Sequence, residues 1–178
     1  MERLILIETS TALCSAALAE DGVITAYRES SAPKAHASLT AVFIQEMLEE
    51  KGLTIADCDA VCVSKGPGSY TGLRVGVSTA KGLCFGSGKP LIAIGTLDIL
   101  TAQAQEASSE TGIADPSGTV IADLTGNPSH IVPMIDARRM EVYAATFKRT
   151  DAPESSTAAP EASSEGSPAN HSEATPRY

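Results

Sequence analysis

Gly66-Pro67-Gly68-Ser69-Tyr70-Thr71-Gly72 follows the apolar run Ala60–Ser64 and leads into a segment with helical spacing. A strand that turns through glycines into a helix is a βα unit, the building block of layered α/β folds. Gly66 and Gly68 permit backbone angles that other residues avoid, and Pro67 stiffens the turn. Ser69 or Thr71 can cap the helix by accepting from its free N–H groups. The remaining donors and the helix dipole make an anion site one reading of this loop. A capped turn with no ligand is the other.

Working outward, Leu4–Thr9 is a strand, and Ser15–Ala19 and Val23–Glu29 form a hairpin through Asp21-Gly22. A helix spans about Ser38 to Lys51, with apolar positions Leu39, Val42, Phe43, Met47 and Leu48, and Gly52 stops it. The second helix runs from about Thr71 to Phe85 and ends in Gly86-Ser87-Gly88. Leu91–Ile94 is a strand and Thr96–Gln105 a third helix, while Ile131–Ile135 and Val142–Phe147 pair around Asp136-Ala137-Arg138-Arg139. The order β-β-β-α-β-α, then a partial second set, predicts an α/β lobe with a mixed sheet.

The second helix carries small residues at i, i+4 and i+8: Gly72, Gly76 and Ala80. Glycine inside a helix costs about 1 kcal/mol against alanine, so two on one face imply close packing. The packed surface is either the chain's own sheet or another subunit. Two enzyme signatures fail. Gly86-Ser87-Gly88-Lys89 resembles the end of a P-loop, but Leu83 replaces the first glycine and Pro90 the hydroxyl residue. Around Ser69 a nucleophile elbow would need glycines at Pro67 and Thr71.

The net charge of -9 argues against a free-standing nucleic-acid binder. The first apolar run, Leu4–Ile7, is too short for a signal peptide or a membrane span, so a cytoplasmic location is expected. Cys14, Cys58, Cys62 and Cys84 are then expected to be reduced, buried and apolar in role. Cys58 and Cys62, placed on one strand, would stand about 13 Å apart at ~3.3 Å per residue, too far to bridge. His36, His130 and His171 form no H-x-x-x-H pair, so no helical zinc site of that kind is expected. Residues 151–178 hold no Ile, Leu, Val, Met or Phe and carry a net -4, the composition of a disordered tail. A second polar stretch, about Glu106 to Gly118, reads as a loop.

Four stretches resemble the TsaB (YeaZ) family: Ile5–Thr11, Gly66–Gly76, Ala80–Leu83 and Ile135–Tyr143. The resemblance spans residue 3 to about residue 147. It implies an actin/sugar-kinase/Hsp70-like (ribonuclease H-like) fold, with a first lobe over 1–95 and a shortened second lobe over 96–150. It implies a non-catalytic paralogue of TsaD that, with TsaD and the ATPase TsaE, supports transfer of a threonylcarbamoyl group to N6 of adenosine 37 of tRNA. On that reading this chain has no catalytic residue, metal or cofactor of its own, and ATP and a metal ion are used by its partners. tRNA is reached through the complex, the isolated chain forms a homodimer, and no membrane is involved. The implied partner interface is Leu39, Val42, Phe43 and Met47 on the first helix with Gly72, Leu73, Gly76 and Ala80 on the second. The family-motif loop is Gly66, Pro67, Gly68, Ser69, Tyr70 and Thr71, with Arg74.

Kinases of this fold bind phosphate at the position of Glu8, Thr9, Ser10 and Thr11, which makes those four candidate phosphate ligands. His36 is expected at the helix entry or the interface, and Asp136 with Arg138-Arg139 as a hairpin ion-pair cluster. Family members normally continue well past residue 147, and here the Ala/Ser/Pro/Glu stretch follows instead. Two other function classes compete: a stand-alone glycoprotease-like peptidase or ATP-dependent kinase, and a homodimeric interaction module.

Overall fold

The computed structural model describes residues 1–32, 35–107, 113–114, 120–122 and 130–148. The disorder expected for 151–178, and most of the loop expected over 106–118, fall outside the described residues. The first part of the chain contains β1 (Arg3–Glu8), β2 (Cys14–Glu20), β3 (Val23–Ser30), α1 (Ala35–Glu50), a short 3-10 turn (Ile55–Asp57), β4 (Ala60–Ser64), α2 (Tyr70–Ser87), β5 (Leu91–Ile94) and α3 (Thr96–Ala107). The five strands form one sheet in the order β3-β2-β1-β4-β5. β1, β2 and β3 pair antiparallel, and β4 and β5 join parallel to β1, so the sheet is mixed as expected.

Register puts Ala26, Leu18, Ile5, Val61 and Leu91 in one row across the sheet. Strand side chains alternate, so this row and its neighbours at Ile7, Ala16 and Val63 face the same way. Phe43, Ile44, Met47 and Leu48 of α1 and Ala80 of α2 close over them as the core. The opposite face carries the row Tyr27, Ala17, Leu6, Cys62 and Ile92. There Tyr27 keeps 47% of its surface and Ile92 41%, so the core is built on the helix side.

Several boundaries move. α1 starts at Ala35, so His36 lies in its first turn and not before it. α2 runs on through Gly86 to Ser87, and Gly88, at φ +71, is its left-handed cap. Cys58 caps the 3-10 turn and so is not on a strand with Cys62. All four cysteines are free; Cys14, Cys58 and Cys62 are buried, but Cys84 is only partly so.

The remaining strands are short: β6 (Ile113–Ala114), β7 (Val120–Ala122), β8 (His130–Ile131), β9 (Met134–Arg138), β10 (Glu141–Ala144) and β11 (Phe147–Lys148). The expected pair of strands is thus two successive pairs, β9 with β10 and β8 with β11. Pro133, which has no N–H to give a ladder, stands at the break. β6 and β7 form a further pair that the sequence did not suggest.

Candidate functional site

The loop 66–72 is held at its entry, middle and exit. Lys65 N–H donates to Ile94 O (2.8 Å), Thr96 N–H to Gly66 O (2.9 Å), and Ser69 N–H to Ser10 O (2.6 Å). At Gly68 a Cβ would lie 2.7 Å from Ser10 Cβ, so only glycine lets the β1–β2 connection press on the loop. Ser69 caps α2: its Oγ accepts from Gly72 N–H at 3.3 Å. Thr71 is exposed in the first turn and is not the cap.

The small-residue stripe belongs to this chain's own fold. Gly72, Gly76 and Ala80 are the buried residues of α2. A Cβ on Gly72 would collide with Thr9 O, and one on Gly76 with Thr9 Oγ1. Gly72 and Gly76 lie against Thr9, just past β1, and Ala80 is in the core, so in this chain all three face its own fold, the first of the two packed surfaces that the spacing allowed. Phe43 and Met47 are likewise core residues, at 9% and 1% exposure. Leu39 and Leu73 are half-buried, with Leu39 packed on the core, and of the expected set only Val42 is exposed. The outer side of α2 shows Tyr70, with Arg74 5.5 Å over its ring, then Ser78, Lys81 and Phe85. Phe85 keeps 94% of its surface. Reading the buried side alone hid this outer face, although Phe85 between Gly82 and Gly86 marks it in the sequence.

The four candidate phosphate ligands separate. Glu8 Oε1 accepts from Ser10 N–H (2.6 Å) and Ser64 Oγ–H (2.9 Å), which ties down the β1–β2 connection. Thr9 is fully buried beneath α2. Ser10 and Thr11 line a cleft of about 850 Å³ with His36, Gly68, Ser69, Tyr70, Thr71, Leu100, Met134, Asp136, Arg138 and Tyr143 among its walls. His36 Nε2 lies 2.9 Å from Thr11 O, so the ring donates there and fixes the helix entry. Asp136 Oδ1 accepts from the backbone N–H of Arg138 at 2.7 Å, a turn contact in place of the expected ion-pair cluster. Leu100, Met134 and Tyr143 reach the cleft only through the tertiary fold. Among the described residues no group of three His, Cys, Asp or Glu could hold a metal ion, and no helix is long and apolar enough to cross a membrane.

The chain resembles known proteins along most of its length. The family model for TsaD, tRNA N6-adenosine threonylcarbamoyltransferase, matches residues 29–165. The tRNA threonylcarbamoyladenosine biosynthesis protein TsaB of Escherichia coli is 32% identical over 149 residues, 84% of this chain and 56% of that protein. TsaB of Haemophilus influenzae is 38% identical over 140 residues, 79% of this chain and 51% of its own. The solved structure of YeaZ from Pseudomonas aeruginosa superposes with a TM-score of 0.65 at 29% identity, covering 84% of this chain and 62% of that one. The sheet, the α1–α2 layer and the glycine loop therefore define an actin-like lobe, the class expected from the sequence. The chain belongs to the TsaD family, and the curated relatives similar to it over most of its length include TsaB proteins. It spans about half the length of those relatives.

Proposed function

We propose that this chain is a supporting subunit without a catalytic site of its own, acting in tRNA N6-adenosine threonylcarbamoylation beside a TsaD-like paralogue and a TsaE-like ATPase. The observation that carries this is 32–38% identity to TsaB proteins over about four-fifths of the chain. The partner face is the outer side of α2 with Val42 of α1. Phe85, 94% exposed towards the C-terminal end of the same helix that carries Tyr70 and Arg74 at its start, is a large apolar group that water does not favour. Aromatic and arginine side chains are the usual anchors of protein interfaces. The same face serves self-association when the paralogue is absent. ATP and metal belong to the partner subunits on this reading.

The test is reconstitution. TsaD, TsaE, threonylcarbamoyl-adenylate, ATP and unmodified tRNA are combined with and without this chain, and modified adenosine is measured by mass spectrometry. Modification that requires this chain supports the reading. No modification, in a mixture that works with a full-length TsaB, overturns it.

A further inference from the structure

The two long helices carry opposite charge. α1 holds Glu46, Glu49 and Glu50 and no lysine or arginine, while α2 holds Arg74 and Lys81 and no acid. Each helix links the end of one strand to the start of the next among strands that all run with β1, so the two lie side by side and point the same way. Both start at the β1–β2 connection, where His36 of α1 meets Thr11 and Ser69, the cap of α2, meets Ser10. At about 1.5 Å per residue Glu49 then stands ~21 Å from that end and Lys81 ~17 Å, within one turn of the same height. Val42, Gln45 and Glu49 are exposed on α1, as are Arg74, Ser78, Lys81 and Phe85 on α2. Arg28 of β3 compensates Glu46 at 3.7 Å and Glu50 at 2.5 Å. Glu49 instead accepts from the neutral amide of Gln45 at 2.7 Å. Among the described residues neither Glu49 nor Lys81 makes an ion pair. Glu49 also sits in the last turn of α1, where the helix dipole favours a cation and the turn holds no basic residue.

We propose that two copies of this chain meet with α1 of each laid on α2 of the other, Lys81 of one copy opposite the partner's Glu49. This rests on the partner face assigned above and adds which helix meets which. A face made of two parallel helices can meet its own copy about two kinds of two-fold axis. An axis across the helices lays α2 on a reversed α2 and brings Arg74 of one copy towards the partner's Lys81, like charges at a contact. An axis along the helices lays α1 on α2 in the same direction, so residues at one height meet. Lys81 then reaches a carboxylate that has no cation of its own, and the pair forms twice, once on each side of the axis. The lysine supplies the positive charge that the last turn of α1 lacks. Phe85, one turn beyond Lys81, packs on the aliphatic stems of the partner's Gln45 and the partner's Glu49. Ion pairs of this exposed kind add little affinity by themselves, but they select between orientations.

The test is sedimentation equilibrium of the full chain from low to high micromolar concentration, with charge reversal at both positions. Lys81→Glu and Glu49→Lys are each expected to weaken self-association about three- to tenfold, because each sets like charges opposite one another twice. Both side chains are exposed, so unfolding midpoints should hold, and Glu49→Lys suits the helix dipole better than the wild type does. The double variant restores the pair with its signs exchanged and is expected to self-associate like the wild type, yet not to form mixed dimers with it. Added salt should weaken wild-type association by screening the pairs. A chain that stays monomeric overturns the proposal. So do single reversals that leave association unchanged, or a double variant as weak as the singles. Loss of association in Phe85→Glu together with indifference to charge reversal overturns the helix pairing while leaving the face in place. Reconstitution of tRNA modification judges the subunit reading separately.

Discussion

Thr9 sets what α2 tolerates. Its carbonyl oxygen and hydroxyl occupy the space that side chains at positions 72 and 76 would need. Gly76→Ala forces helix and strand apart, and overpacking of this kind costs about 1–3 kcal/mol. Gly82 lies in the same helix with nothing within 4 Å of its missing Cβ. Gly82→Ala is expected to stabilise the chain by up to about 1 kcal/mol, the helix-propensity difference. Urea denaturation of the two variants should move their midpoints in opposite directions; a neutral Gly76→Ala would refute the packing. The small-residue spacing was readable from sequence, but the surface it meets was not, because Thr9 is more than sixty residues away along the chain. Gly76→Leu thus tests the fold rather than the partner face. Phe85→Glu tests the partner face, since that side chain is 94% exposed and its replacement leaves the core intact. Weaker co-purification with the TsaD-like paralogue, at an unchanged unfolding midpoint, is the expected result.

At the scale of elements, three carboxylates tie segments together. Arg3 donates to Glu20 at 2.7 Å between β1 and β2, and Arg28 of β3 reaches Glu50 of α1 at 2.5 Å. Asp57 accepts from the Thr54 N–H at 2.8 Å and its hydroxyl at 2.7 Å in the 3-10 turn. These hydrogen bonds hold all three carboxyls below the ordinary carboxylate range. A group whose folded pKa is depressed contributes stability above its unfolded value, about 4, and loses it as the pH falls through the folded value. Stability is therefore expected to drop as the pH falls below about 5, and Asp57→Asn should flatten that drop. The groups are solvent-exposed, so the effect is modest and salt-sensitive. A pH profile of urea midpoints for wild type and variant checks it. The hairpin at Asp21-Gly22, both long helices and β4 were legible because each is a local pattern of period two or 3.6 with a turn signal at its end. The split of the late hairpin into two pairs was less so, since Pro133 was read as part of a strand.

For the whole molecule, the asymmetry of the sheet matters most. Leu18, fully buried on the helix face, and Leu6, half-buried on the other, sit in neighbouring rows of the same strands. Leu18→Ala is expected to cost about 2–5 kcal/mol, and Leu6→Ala clearly less, because less of its surface leaves water on folding. Equal losses in urea unfolding would contradict a core built on one face. In residues 130–148 only Pro133 is buried, so that region adds little to the core although it supplies Met134, Asp136, Arg138 and Tyr143 to the cleft.

The sequence by itself determined the order of the first eight elements, the mixed sheet, the capped glycine turn and the family. All of these are carried by neighbours in the chain, through periodicity, caps and a specific motif. Only the tertiary structure decided which side of α2 is free. It also decided that Glu8 is hydrogen-bonded within the fold and Thr9 buried beneath α2 while Ser10 and Thr11 line a cleft, and that Arg138 and Tyr143 line the same cleft as Tyr70. Those assignments depend on long-range strand pairing and on which atoms fill the space beside a glycine, and neither is encoded in local spacing.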